Sequence, residues 1–148
     1  MNSLRAIVVG GSLCALLDGI CVTVLYGARG ASPLRMWQSV ASAVMGPSAF
    51  RKRWLSGVFG ITLHCLVAFG AATVFVFASR SFDLLLRYPY MTGIAYGVLV
   101  FVIMNMVVVP LSAMPKQPVN ISTVAVQLAI HVVLIGIPIS LTTRFFVH

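Results

Sequence analysis

The chain has 148 residues, 60% of them hydrophobic and 8% charged, with a formal net charge of +8. Soluble domains carry about a quarter charged residues, and a water-soluble fold of this size would leave large apolar patches against water. The composition therefore excludes an ordinary soluble domain and predicts a small polytopic integral membrane protein.

The first apolar run covers residues 6–28 and is broken only by Asp18. It is long enough to cross about 30 Å of hydrocarbon at about 1.5 Å per helical residue. Arg5 ahead of it resembles the basic start of a signal peptide. The run is too long for a signal-peptide core and no Ala-x-Ala site follows, so it reads as a retained helix. Residues 29–53 form the one long connection. Ser32 suits an N-cap and Pro33 a first helical position. Over residues 32–45, Leu34, Trp37, Ala41 and Val44 fall on one face, with Arg35, Gln38, Ser39 and Ser42 opposite. This is the pattern of an interfacial amphipathic helix, ending near Gly46-Pro47. The second span, 54–79, starts at Trp54; the third runs over 91–114 and the fourth over 121–142.

Helix is expected in all four runs, because backbone polar groups inside lipid must be satisfied within the segment. The predicted fold is all-α: an integral membrane four-helix bundle with one short interfacial helix, in a single domain of residues 1–148. Pro110 and Pro138 are expected as tolerated kinks. Tyr88, Tyr90, Trp37 and Trp54 fit aromatic belts, where ring and polar tip meet both phases.

Four spans place both termini on one side, here side A. Side A carries Arg5, Arg80, Arg87 and Arg144. Side B, with the 29–53 segment and the 115–120 loop, carries Arg29, Arg35, Arg51, Lys52, Arg53 and Lys116. The basic excess favours side B as cytoplasmic and the termini as periplasmic. The Arg51-Lys52-Arg53 run is the strongest anchor, read as a topology signal compatible with contact to anionic lipid head groups. Scattered cations at helix ends, with no nucleic-acid signature, argue against nucleic acid. Cys14, Cys21 and Cys65 all lie within spans and make no disulfide framework. No Gly-rich phosphate loop and no Gly-x-Ser-x-Gly is present, which argues against a nucleotide-driven enzyme or a common hydrolase; no catalytic residue is assigned.

The informative residues are polar groups deep in the spans: Asp18, His64, Asn105 and His131, one per helix. Each lies about 10 residues from its helix's side-B end, so all four sit roughly 15 Å deep, near the bilayer midplane. His64 shares a stripe with Gly57, Gly60, Ala68 and Ala71, and Asp18 one with Gly11, Cys14, Ala15 and Cys21. Small residues mark the side where another helix approaches closely. Gly93-x-x-x-Gly97 serves that role in the third span, and Gln127 stands one turn before His131. The expected site is one polar core cluster of Asp18, His64, Asn105, His131 and Gln127. Interhelical hydrogen bonding is sufficient reason for such a layer, at about 0.6–2 kcal/mol per contact. Ionisable groups at mid-membrane cost about 2.5–3.5 kcal/mol each, which keeps a functional role open.

Three segments carry a resemblance: the His64–Ala72 stretch, the Gly93-Ile-Ala-Tyr-Gly97 turn, and Pro110-Leu-Ser112. With these the chain resembles small four-helix bacterial inner-membrane proteins of unassigned role, over about residues 6–142. The resemblance implies a bacterial inner membrane and supplies no catalytic residue. The leading functional expectation is a non-enzymatic accessory or structural subunit, in contact with the lipid bilayer and assembled as a homo-oligomer or within a larger membrane complex. The alternative is a proton or small-solute translocator using Asp18, His64 and His131. A third reading is a haem-binding electron carrier, because His64 and His131 stand at one level on the second and fourth helices, which are diagonal in an up-down bundle. Asp18 and Asn105 at that level would crowd a macrocycle, and a metal ion on His64, His131 and Asp18 has suitable ligand types but unspecific spacing. The expectation is no cofactor and no metal.

Overall fold

A computed structural model describes residues 2–116 and 120–147. Residues 117–119 of the 115–120 loop, and His148, lie outside the described residues. Among the described residues the chain is helical, with four helices long and apolar enough to cross a membrane: α1 (Asn2–Ala28), α3 (Arg53–Ser79), α4 (Pro89–Leu111) and α5 (Ile121–Val147). Helix α2 (Pro33–Met45) lies between the first two, and a four-residue turn of helix, Leu84–Arg87, precedes α4. Large apolar side chains such as Leu16, Leu66 and Leu99 point outward along the spans. In water they would be a liability; in lipid they need no partner.

The core is built where small residues let helices approach. Gly93 and Gly97 of α4 meet Gly136 of α5 backbone to backbone: a Cβ on Gly136 would collide with the Gly93 carbonyl oxygen and lie 2.6 Å from Gly97 N. Toward side A, Cys14, Ala68, Ala72, Phe75, Ile135 and Ile139 pack into one apolar cluster. Helix α1 packs along both α3 and α5, and α4 packs on α5. Helices α3 and α4 meet sparsely. Their main link is Tyr96, whose hydroxyl donates to Ala71 O at 2.7 Å and whose ring stands edge-on to Phe75 at 4.9 Å.

This arrangement departs from an even up-down bundle, in which the second and third spans would be full neighbours. The reason lies in which small-residue faces are used. The glycines of α4 are spent on α5. The Gly57/Gly60 face of α3 is taken by α2, since a Cβ at Gly60 would collide with Trp37 O and one at Gly57 would press on Leu34.

Helix α2 begins as its cap residues predict: Ser32 Oγ accepts from Arg35 N at 3.3 Å, and Pro33 opens the helix. It ends at Gly46, whose φ of 59° is readily adopted by glycine. Its buried face is not the expected one. Gln38, Ala41 and Ser42 are buried, while Val44 is 62% exposed. The opposite-face rule assumes water on the polar side. Here that side meets α3, and the polar groups find backbone partners: Gln38 Nε2 donates to Arg53 O at 3.0 Å and Ser42 Oγ to Ser39 O at 2.6 Å. At its far end Ala43 O accepts from Ala113 N at 2.9 Å, just beyond α4. Helix α2 is therefore a strap across side B, fastened to α3 and to the end of α4.

Both expected proline kinks are accompanied by widened, π-helical turns, at Met104–Val108 before Pro110 and at His131–Gly136 before Pro138. Proline has no N–H to donate and its ring clashes with the carbonyl four residues back. A wider turn relieves that clash by shifting the hydrogen-bond register, as in Ile137 N donating to Val132 O.

Candidate functional site: a polar cavity open toward side B

Asp18, His64, Asn105, Gln127 and His131 line one cavity of about 250 Å³. Four helices supply them, and α2 supplies part of the wall through Met36, Trp37 and Ser39. Tyr26, Arg29 and Thr123 line the same cavity nearer the side-B ends of their helices. One turn further toward side A, Cys14, Ala68 and Ile135 belong to the packed core. The polar layer is thus the inner end of a recess that reaches about half-way through the bundle.

The carboxyl–imidazole pair among the polar residues joins α1 to α3. His64 Nδ1 lies 3.7 Å from Asp18 Oδ2, with both side chains mostly buried. Small neighbours permit it: the position a Cβ on Gly19 would occupy is only 3.5 Å from His64 Nε2. The other ring nitrogen is committed, because His64 Nε2 donates to Ala15 O at 3.1 Å. A carbonyl can only accept, so that contact fixes the proton on Nε2 and turns Nδ1 toward the carboxyl group. Trp37 stands edge-on to the imidazole, with ring centroids 5.4 Å apart.

Asn105 and His131 are not hydrogen-bonded to that pair. Each bonds a carbonyl of its own helix: Asn105 Nδ2 donates to Phe101 O at 3.0 Å and His131 Nδ1 to Gln127 O at 2.8 Å. Both sit in the widened turns of their helices. The bond from Nδ1 leaves His131 Nε2 with a free lone pair in the neutral ring. Asn105 keeps its carbonyl oxygen and one N–H.

These contacts bear on the cofactor readings. A bis-histidine haem needs one ring nitrogen of each histidine on iron. His64 Nε2 is held on Ala15 O, and its Nδ1 faces the Asp18 carboxyl group at 3.7 Å. Among the described residues, no three His, Cys, Asp or Glu side chains are grouped as a metal site.

Arg51, Lys52 and Arg53 are exposed at the start of α3. Arg53 is held at φ 46°, a left-handed conformation that costs a non-glycine residue about 1–2 kcal/mol. Its carbonyl accepts from Gln38 Nε2 and from Ser56 Oγ, which holds this tight corner in place.

The aromatic pattern of the sequence places Trp37 in an interfacial belt. The structure puts Trp37 in the cavity wall and the Tyr96 hydroxyl on the α3 backbone inside the bundle. The Gly57/Gly60 pair signalled a close neighbour for α3 but not that the neighbour would be α2. No protein family, curated protein or solved structure matches the chain.

Proposed function

We propose that the chain is a non-enzymatic accessory protein of the bacterial inner membrane, with its termini on the periplasmic face, whose polar recess binds a small proton-bearing or hydrogen-bonding ligand. The observation that carries this reading is the facing pair. His64 gives Nε2–H to Ala15 O, so the Nδ1 and Oδ2 atoms opposite each other at 3.7 Å are two acceptors unless a proton lies on one of them. The pair is therefore read as holding one proton at the inner end of a recess that water enters from side B.

Translocation through Asp18, His64 and His131 needs a second path to side A. The packed Phe75 and Ile139, both almost fully buried, stand across it, so access from one side is the better-supported reading. The small size suits a homo-oligomer or a subunit of a larger membrane complex, since four helices lack the inverted repeats of autonomous transporters. The exposed Arg51-Lys52-Arg53 run favours anionic lipid at side B.

The test exploits the composition. Asp18 and Asp83 are the only acidic side chains in the sequence. Infrared spectra of an Asp83→Asn background, with and without Asp18→Asn, isolate one carboxyl group, and nitrogen-15 resonances of His64 report its ring protonation. A shared proton appears either as a protonated carboxyl band lost in Asp18→Asn or as a His64 imidazolium lost in the same variant. A free Asp18 carboxylate beside a neutral His64 overturns the reading.

A further inference from the structure

A second, larger cavity adjoins the polar recess and has a different character. It is a cleft of about 560 Å³ in the gap between α3 and α4, under the strap α2. Most of its wall is aliphatic: Val67, Ala68 and Ala71 on one side, Val100 and Val107 on the other, with Ala43 and Val44 of α2. Its rim residues Val44, Val67 and Val107 are all well exposed, so the cleft opens sideways, where the spans meet hydrocarbon. No lysine or arginine lines it. Asp18, His64 and His131 belong to its wall and to the wall of the polar recess. The two cavities therefore meet at the polar layer.

We propose that recess and cleft together form a binding site for an uncharged membrane lipid with a hydroxyl-bearing head, its head at Asp18, His64 and His131 and its chain lying in the cleft between α3 and α4. This rests on reading the polar layer as a binding site, and names the ligand class. An apolar chain is matched by the aliphatic walls, which would otherwise leave a void. A phosphate head is disfavoured at the polar layer, where a carboxyl group stands and the cation lining the recess, Arg29, lies about three helical turns away toward side B. A hydroxyl head is favoured by the groups left over. His131 Nε2 and Asn105 Oδ1 are acceptors with no protein donor, since the other polar atom of each already serves its own helix. Both residues line the recess, where these atoms are open to a ligand, and a hydroxyl there supplies the donor that the protein does not.

Photolabelling tests this in the purified full chain in mild detergent. The probe is a long-chain primary alcohol with a diazirine near the tail. The competitors are the unlabelled alcohol, the alkane of equal length and a phosphatidylglycerol. Label is expected on α3 and α4 around Val67 and Val107, displaced by the alcohol but not by the alkane or the phospholipid. Val67→Trp and Val107→Trp, at half-exposed positions on the cleft rim, should block it. His131→Phe should weaken labelling roughly five- to tenfold, as for one lost hydrogen bond. Label spread evenly over the lipid-facing surface, or label displaced equally by the alkane, overturns the proposal. Either result leaves the proton reading at Asp18 and His64 to stand or fall on its own spectra.

Discussion

Replacing glycine by alanine at two positions should give opposite signs of stability change. At Gly136 the added Cβ would collide with Gly93 O and lie 2.6 Å from Gly97 N and 2.8 Å from Gly97 Cα. Ordinary carbon contacts lie near 3.5–4.0 Å, so α4 and α5 must move apart by about 1 Å. All the nearest atoms are backbone, which cannot rotate away, so the overpacking penalty should sit near ~3 kcal/mol, the upper end of its usual range. The gain in helix propensity offsets about 1 kcal/mol of it, leaving Gly136→Ala destabilised by about 2 kcal/mol. At Gly70, by contrast, a Cβ meets nothing within 4 Å. Gly70→Ala should keep the propensity gain and be stabilised by up to about 1 kcal/mol. Denaturation by SDS from mixed micelles, followed by tryptophan fluorescence, measures both variants against the wild type. If Gly136→Ala proves as stable as Gly70→Ala, the α4–α5 seam is not in backbone contact and the packing argument fails.

Three further outcomes follow from the strap and from span parity. Ser32→Ala should destabilise α2 by about 1 kcal/mol through the lost cap, read as earlier exchange of α2 amides with little change in the spans. Cysteines at Gln38 and Ser42, in a background lacking the native cysteines, should resist a water-soluble maleimide while one at Arg35 reacts at once; equal reactivity at all three would detach α2 from α3. Reporter fusions at the C-terminus and in the 115–120 loop should report opposite sides of the membrane, and agreement between them would remove the even number of spans.

The spans are legible in the sequence because hydrocarbon imposes a simple length rule, and the limits of α2 because Ser32, Pro33 and Gly46 each carry a local backbone preference. The common level of the polar residues is legible by counting along helices of known rise, and they line one cavity. What the sequence does not disclose are choices between neighbours. Gln38 looks like a water-facing residue until Arg53 O is found beside it. The Gly57/Gly60 face could receive any helix, and its occupation by α2 rather than α4 is what opens the cleft. Asn105 and His131 each had two options: to reach across the bundle or to bond the carbonyl four residues back. The second needs no other helix in place, and no periodicity distinguishes it from the first.

The widened turns in α4 and α5 also set the azimuth of the side chains beyond them. In an α-helix each residue advances about 100° around the axis, so residues five apart, such as His131 and Gly136, would point well away from each other. A π turn advances less per residue and brings His131, facing the recess, and Gly136, facing α4, nearer to a common side. One continuous helix can then present a polar side chain to the cavity at one level and bare backbone to its neighbour at the next. Removing a single residue from such a turn would let it close as an α turn, with about four residues completing the circuit that five complete now, so the faces beyond it would keep their direction. In these two helices the wide turn therefore stores one residue without turning the faces beyond it.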